Sequence, residues 1–163
     1  AERTGINDVM IWSVMRQESK FRRNAVSRSG ALGLMQLMPS TAKDEMAALD
    51  ILSSEFTDPE KNILLGASYF ARLSRKFKGD LPRVIAAYNA GMEPVIRWNT
   101  LSAGDWVEWI EEIPYSETRE FVRAVLQNRE MYRVIAGKNN DLPISVLISE
   151  RPMPVEKLAS VNR

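Results

Sequence analysis

Apolar residues recur at three- and four-residue steps through most of the sequence, and strand-like alternation is scarce. This spacing puts apolar side chains on one face of an α-helix, so it predicts a series of amphipathic helices. Capping residues and glycines divide the chain into segments of ordinary helix length. The expected fold class is therefore all-α, or predominantly so.

Polar caps and glycines also set the expected helix ends. Asp58 and Pro59 predict a strong helix start, because a carboxylate caps the first amides and proline lacks one. That helix should end at Gly79, and Asp80 should begin the next. Residues 24–39 lack a helical period and predict a loop or a small irregular lobe. The expected helices are 6–19, one capped by Ser40 and ending near 52, 59–79, 80–91, 92–98, 106–113 and one capped by Ser116 and ending before Gly137.

Chain length and composition favour one compact domain. The 163 residues are 45% hydrophobic, which is enough for one substantial core. We expect this domain to cover residues 1–138, with 139–163 forming an extended C-terminal tail or a connection to a region outside the sequence. There is no signal peptide and no apolar run long enough to span a membrane, so we expect a cytosolic chain or a mature fragment of a longer precursor.

The absence of histidine and cysteine limits the possible chemistry. It excludes Ser-His and Cys-His nucleophilic sites, zinc fingers and thiol redox chemistry, so an enzyme would depend on carboxylates, hydroxyls, amides and cations. No metal or organic cofactor is expected. The net charge of +1 favours neither nucleic acid nor an anionic membrane as partner. A polar, weakly charged substrate fits this composition better.

Glu18 is the first catalytic candidate on physical grounds. It falls in the last turn of the first expected helix, where unpaired carbonyls disfavour a negative charge, so its pKa should be raised. Partial burial beside methionines would raise the pKa further and leave an acid able to donate a proton. The alternative is a surface glutamate paired with Arg22 at the i,i+4 step.

Four sequence blocks in a fixed order resemble the family 1 lytic transglycosylases, the soluble lytic transglycosylase domains related to goose-type lysozyme. Together the blocks span about residues 6–137. The resemblance implies a lysozyme-like domain with a substrate cleft. The blocks are MRQES at 15–19, SRSGALGLMQLMP at 27–39, AYNAG at 87–91 and IPYSETR at 113–119.

The resemblance also implies roles for individual residues. Glu18 stands where the family has its catalytic glutamate, and Tyr88 where a tyrosine hydroxyl bonds that acid. Other positions fall where the family lines the cleft or belong to the same motifs, and we expect them to bind substrate. They are Ser27, Gln36, Met38, Asn89 and Glu117.

Each of these residues also has a purely structural interpretation. Gln36 could satisfy buried backbone groups, and Met35 and Met38 could fill the core. Tyr88 could be a core residue, and Glu117 could act as an acid in the first turn of a helix. Core packing is expected for at least two of the three tryptophans that could otherwise stack on sugars, namely Trp98, Trp106 and Trp109.

The function that the resemblance implies is cleavage of peptidoglycan glycan strands. A lytic transglycosylase would cut the β-1,4 bond between N-acetylmuramic acid and N-acetylglucosamine without water, with one glutamate as acid and base, and form a 1,6-anhydro sugar. Such an enzyme would act in the bacterial cell envelope, in the periplasm, and could be part of a longer precursor with further domains. The alternatives are a goose-type muramidase that uses water and Glu117 as a second acid, an inactive glycan-binding or assembly domain, and a plain helical interaction module.

Overall fold

The computed structural model describes residues 4–51, 56–98 and 105–137. Within these ranges the secondary structure is helical, apart from two isolated antiparallel bridges inside residues 26–37. The all-α prediction is confirmed, whereas the predicted tail at 139–163 lies outside the described residues. The helices are α1 (Asp8–Ser19), α2 (Pro39–Ala48), α3 (Pro59–Lys76), α4 (Leu81–Ala90), α5 (Met92–Trp98), α6 (Trp106–Glu111) and α7 (Ser116–Ile135).

Helix starts follow the predicted caps in α3 and α4. Asp58 Oδ1 accepts a hydrogen bond from Lys61 N at 3.1 Å, and Asp80 Oδ1 accepts one from Arg83 N at 3.2 Å. In each case the carboxylate satisfies an amide that has no partner inside the helix. No helix of the described residues is both long and apolar enough to cross a membrane.

Two predicted caps are wrong by one or two positions. The Met38 carbonyl already accepts from Ala42 N at 2.9 Å, so α2 begins at Pro39 and not after Ser40. Proline suits this first position because its φ is preset and it lacks the N–H. The Tyr115 carbonyl accepts from Arg119 N at 2.9 Å, so Tyr115 is the cap of α7 and Ser116 its first residue.

The chain divides into two compact units, residues 1–72 and 73–163. The core of the first unit contains the apolar face of α1 and part of the loop between α1 and α2. A partly buried ion pair joins α2 to α3: the buried Glu45 carboxylate accepts from Ser68 Oγ and from Arg72 Nε, each at 2.7 Å. Core residues of this unit include Val9, Met10, Val14, Met15, Met35, Leu37 and Leu65.

In the second unit, α4 packs against α5 and α7, and α6 packs against α7. Residues 82–88 of α4 are all buried. Trp98, Trp106 and Trp109 are 7%, 6% and 0% exposed, so core packing is confirmed for all three. The Arg83 guanidinium is buried with them, 4.7 Å above the Trp109 ring and paired with Asp80. This unit therefore fixes the position of α4, which carries the AYNAG motif.

Candidate active site

Glu18 lies in the last turn of α1 and is half-buried. Its neighbours Met15 and Ser19 are buried, and Ser19 Oγ donates to the Met15 carbonyl at 3.1 Å. The helix ends because Lys20 adopts a left-handed conformation, with φ 52° and ψ 40°. The serine of the Glu-Ser pair thus bonds back to the preceding turn of its own helix, and Glu18 sits on a well-defined last turn.

The backbone turns sharply after α1. Phe21 also has a positive φ of 61°, which costs a non-glycine residue free energy. Arg22 donates to the Ser19 carbonyl from its backbone N at 3.0 Å and from Nε at 3.3 Å. Its positive charge therefore lies at the C-terminal end of α1, where it is stabilising.

Residues 21–26 line a surface pocket of about 780 Å³ next to this turn. Phe21 contributes an aromatic ring that is 43% exposed, and Arg22 and Arg23 contribute two exposed cations. A ligand with both apolar and anionic groups would find partners for each in this pocket.

Ser27 closes a tight turn at the start of the SRSGALGLMQLMP block. Its Oγ accepts from Ala31 N at 2.9 Å, and its backbone N donates to the Ala31 carbonyl at 2.9 Å. The Ser27 carbonyl accepts from Gly30 N at 3.1 Å. The half-buried hydroxyl retains its hydrogen as a donor, with no acceptor for it among the described residues.

The Gln36 side chain folds back onto its own loop. Nε2 donates to the Ala25 carbonyl at 3.1 Å and to the Gly33 carbonyl at 2.8 Å. The prediction that Gln36 could satisfy backbone groups is therefore confirmed. Since both Nε2 hydrogens are used, Gln36 can meet a ligand only through Oε1, as a hydrogen-bond acceptor. Gln36 also has a positive φ of 46°, and these bonds help to offset that strain.

The two methionines of this loop have different environments. Met35 is 1% exposed, which confirms it as a core residue, whereas Met38 is 40% exposed and does not fill the core. Met38 stands immediately before α2, where its side chain is available for contact with a ligand.

In the second unit, Tyr88 and Asn89 lie near the end of α4. Tyr88 is 8% exposed and belongs to the core. Asn89 is half-buried, and its Oδ1 accepts a hydrogen bond from Thr118 Oγ1 at 2.7 Å. Asn89 thus presents its Nδ2 group as a donor to any ligand. Glu117 precedes Thr118 in the first turn of α7 and is exposed, as expected for an acid at a helix N-terminus.

The structure thus brings the predicted residues together within each unit. Ser27, Gln36 and Met38 lie on one hydrogen-bonded loop in the first unit, and Asn89 is bonded to the turn that carries Glu117 in the second. Among the described residues, no group of three or more acidic side chains is arranged to hold a metal ion.

Two side chains that hold these residues were not among the residues predicted from the sequence. Thr118 orients Asn89, and the buried Asn62 of α3 bonds the loop that carries Gln36. A sequence signal existed for Asn62, because an amide interrupts the apolar spacing of an amphipathic helix. Thr118 resembles an ordinary residue of a first helical turn and gives no such signal.

Comparison with known proteins identifies the family. The family described as "Transglycosylase SLT domain" matches residues 1–105, which is more than half of the chain. The chain belongs to this transglycosylase SLT family. The predicted resemblance is therefore confirmed.

Curated relatives and solved structures agree with this assignment. The soluble lytic murein transglycosylase of Escherichia coli K12 is 39% identical over 131 residues, which cover 77% of this chain and 20% of that protein. The membrane-bound lytic murein transglycosylase C of Edwardsiella ictaluri is 35% identical over 160 residues, covering 83% of this chain and 45% of that protein.

The structures show the same fold. The lytic transglycosylase Slt of Pseudomonas aeruginosa, solved as an inactive mutant, superposes with a TM-score of 0.83 at 35% identity, covering 94% of this chain and 25% of that one. The 70-kDa soluble lytic transglycosylase of Escherichia coli superposes with a TM-score of 0.83 at 36% identity, covering 94% of this chain and 26% of that one. The chain thus spans between about a fifth and a half of the length of these relatives.

Proposed function

We propose that this chain is the catalytic part of a peptidoglycan lytic transglycosylase. It would cleave the β-1,4 bond between N-acetylmuramic acid and N-acetylglucosamine and leave a 1,6-anhydro end. Membership of the transglycosylase SLT family carries the proposal, together with relatives that are named lytic murein transglycosylases. Because relatives that act on murein are bacterial proteins, the proposed site of action is the cell envelope, in the periplasm.

Glu18 is the proposed acid and base. It first donates its proton to the glycosidic oxygen, and the bond from that oxygen to the anomeric carbon of N-acetylmuramic acid breaks. The carbonyl oxygen of the neighbouring N-acetyl group stabilises the positive charge, which explains how one carboxyl group can suffice. The Glu18 carboxylate then accepts the proton of the sugar's 6-hydroxyl, whose oxygen bonds to the anomeric carbon. Glu18 is thereby reprotonated, and no water is consumed.

An intramolecular hydroxyl competes well with water if the sugar is held in place, because its effective concentration is high. We propose that Ser27, Gln36 and Met38 bind sugars of the substrate, with Gln36 Oε1 accepting from a hydroxyl or acetamido N–H. Tyr88, Asn89 and Glu117 are proposed to bind substrate too, with Asn89 donating from Nδ2. The acceptor role of Gln36 and the donor role of Asn89 follow from which of their atoms remain for a ligand once the internal hydrogen bonds are made.

Substitution of Glu18 by glutamine tests the proposal. Glu18→Gln keeps the shape of the side chain and removes the ionisable proton, so release of soluble muropeptides from purified sacculi should fall by at least about a thousandfold. Glu60→Gln, an exposed residue in the first turn of α3, is the matched control and should retain full activity. It is relevant that the solved Pseudomonas aeruginosa relative is an inactive glutamate-to-glutamine mutant. Undiminished cleavage by Glu18→Gln would overturn the proposal.

Mass spectrometry of the products separates this activity from a muramidase. Non-hydrolytic cleavage gives muropeptides one water lighter than reducing-end products. Hydrated products would indicate a goose-type muramidase, and Glu117→Gln would then be expected to abolish activity because a second acid must activate water.

A further inference from the structure

Asn62 makes three hydrogen bonds, and two of them hold the loop between Ser27 and Met38. Its Oδ1 accepts from Met35 N at 2.8 Å, and its Nδ2 donates to the carbonyls of Leu32 and Phe56, each at 3.1 Å. Asn62 is 0% exposed, so it cannot itself touch a ligand. Any influence on a ligand must pass through the loop to which it is bonded.

Two sets of contacts connect Asn62 to Gln36, one through Met35 and one through Gly33. Met35, whose N–H is bonded by Asn62, directly precedes Gln36. Gly33 approaches the amide so closely that a Cβ atom there would lie 2.5 Å from Asn62 Nδ2. The Gly33 carbonyl in turn accepts from Gln36 Nε2 at 2.8 Å. The position of the Asn62 amide therefore sets both the backbone before Gln36 and the acceptor of its side chain.

The backbone groups around position 62 have a hydrogen-bonding pattern that an asparagine side chain complements. The loop and the residues before α3 present two carbonyls and one N–H, and a primary amide complements them with two donors and one acceptor. A carboxylate would face both carbonyls with negative charge. An apolar side chain would remove the partner of the Met35 N–H and leave the Leu32 carbonyl with only its bond from Leu37 N, at 3.0 Å. These bonds also support Gln36 in its left-handed conformation, which a loop without them would relax.

We propose that Asn62 is a positioning residue of the active site, which acts through Met35 and Gly33 to aim Gln36 Oε1 at the substrate. This inference rests on the proposed function, because it assigns a catalytic consequence to the position of Gln36. Asn62 has this role although it lies 26 residues after Gln36 in the sequence and on a different structural element.

The first test compares Asn62→Leu with Leu73→Ala. Leu73 is 0% exposed and lies on the same helix, so its truncation destabilises the protein without removing a bond to the loop. Each variant is assayed on sacculi well below its own Tm. Asn62→Leu should lower kcat/KM by about tenfold or more, because a small misplacement of a binding group is costly, while Leu73→Ala stays within about twofold of wild type. Equal activity losses in the two variants would overturn the proposal.

The second test is a double-mutant cycle with Gln36→Ala. If Asn62 acts through Gln36, adding Asn62→Leu to Gln36→Ala should lower kcat/KM by less than about twofold. A loss that multiplies fully with that of Gln36→Ala would mean that Asn62 is merely structural. If Asn62→Leu does not fold, Asn62→Ala takes its place in both tests, because it leaves room for a water to bond the loop.

A third measurement does not depend on activity. In the wild type the Gln36 side-chain amide hydrogens should exchange slowly with solvent, since both are bonded within the loop. By NMR, their exchange should accelerate at least about tenfold in Asn62→Leu and remain unchanged in Leu73→Ala. Unchanged exchange in Asn62→Leu would refute the positioning role even if Glu18→Gln supports the proposed function. Accelerated exchange with an active Glu18→Gln enzyme would instead place the failure in the proposed function.

Discussion

Thr118 donates its hydroxyl hydrogen to Asn89 Oδ1 across 2.7 Å, from the first turn of α7 to the end of α4. Thr118 is 2% exposed, so water cannot easily replace this bond. The bond fixes which side of the Asn89 amide faces outward, because the oxygen is turned to the threonine. Asn89 is thereby prepared as a donor before any substrate arrives.

Replacement of Thr118 by valine should release the Asn89 amide. Valine keeps the branched shape and removes the hydroxyl, so Asn89 can rotate and present its oxygen instead of its Nδ2 group. We expect kcat/KM on sacculi to fall by about tenfold, and the free energy of unfolding to fall by about 1 kcal/mol for one lost buried hydrogen bond. Steady-state release of muropeptides and chemical denaturation measure the two effects.

Thr57→Val is the matched control, because Thr57 is exposed and lies outside the candidate site. It should change neither quantity appreciably. If Thr118→Val lost stability but kept wild-type kcat/KM, the orientation of Asn89 would be irrelevant to substrate binding.

The helices could be predicted because their signals are local. Asp58 and Asp80 cap the helices that they were predicted to start, and apolar spacing within each segment identified the buried faces. The conformation of residues 24–38 could not be predicted in this way. It depends on bonds from Asn62 to Met35 and Leu32, 27 and 30 residues distant, which no periodicity encodes.

In the candidate site, too, local features could be predicted from the sequence, whereas features that depend on distant contacts could not. The position of Glu18 in the last turn of α1 could be predicted, because the end of a helix is a local property of the sequence. The use of both Nε2 hydrogens of Gln36, and hence its restriction to an acceptor role, depends on how the loop closes on Ala25 and Gly33. Motifs therefore supply the candidate residues, while the folded loop determines which of their atoms can reach a ligand.

The buried carboxylate of Glu45 leads to a prediction about stability. Glu45 is 1% exposed and bonds Ser68 and Arg72, so Arg72→Met leaves a buried negative charge with a hydroxyl partner but without its cation. We expect a loss of about 2 kcal/mol in the free energy of unfolding, less than for a fully buried pair because the Arg72 side chain is 38% exposed. Urea denaturation gives this value.

Neutralising the carboxylate should recover part of this loss. The double variant Glu45→Gln with Arg72→Met should be more stable than Arg72→Met, because a neutral amide is less costly to bury. Arg123→Met removes an exposed partner of Glu111 and Glu120 and should leave the free energy of unfolding nearly unchanged, because solvent screens these pairs. A double variant less stable than Arg72→Met would contradict the charge-burial explanation.

Asp80 should titrate above the ordinary value of 3.8. Burial raises the pKa of this carboxyl group, and the paired Arg83 guanidinium opposes the shift without cancelling it. The folded protein therefore binds the Asp80 proton more tightly than the unfolded chain does. Its contribution to stability is complete below pH 3.8 and is lost as the pH rises through the folded-state pKa.

An NMR titration of the Asp80 carboxyl carbon should show its midpoint above 3.8. Asp80→Asn provides the control for stability, because it removes this titration. The free energy of unfolding of the wild type, minus that of Asp80→Asn, should decline as the pH rises from 3.8 through the folded-state pKa of Asp80. A difference that grows with pH would show that the Arg83 pairing outweighs burial.

Two glycines of the same loop allow the contact with Asn62 to be separated from backbone strain. Gly30 and Gly33 have similar positive φ values, 87° and 82°, so alanine at either position bears a similar strain of about 1 kcal/mol. A Cβ at Gly30 meets nothing within 4 Å, whereas one at Gly33 would lie 2.5 Å from the Asn62 amide. Gly33→Ala should therefore cost at least about 2 kcal/mol more than Gly30→Ala in urea denaturation, because it displaces a buried amide from its hydrogen bonds.

The Asn62→Ala background tests the cause of this difference. With the amide absent, Cβ at position 33 no longer meets it, so Gly33→Ala and Gly30→Ala should have nearly equal costs. A difference that persisted in this background would show that Gly33 is required by other neighbours. Its disappearance would identify the Asn62 amide as the group that excludes every side chain from position 33.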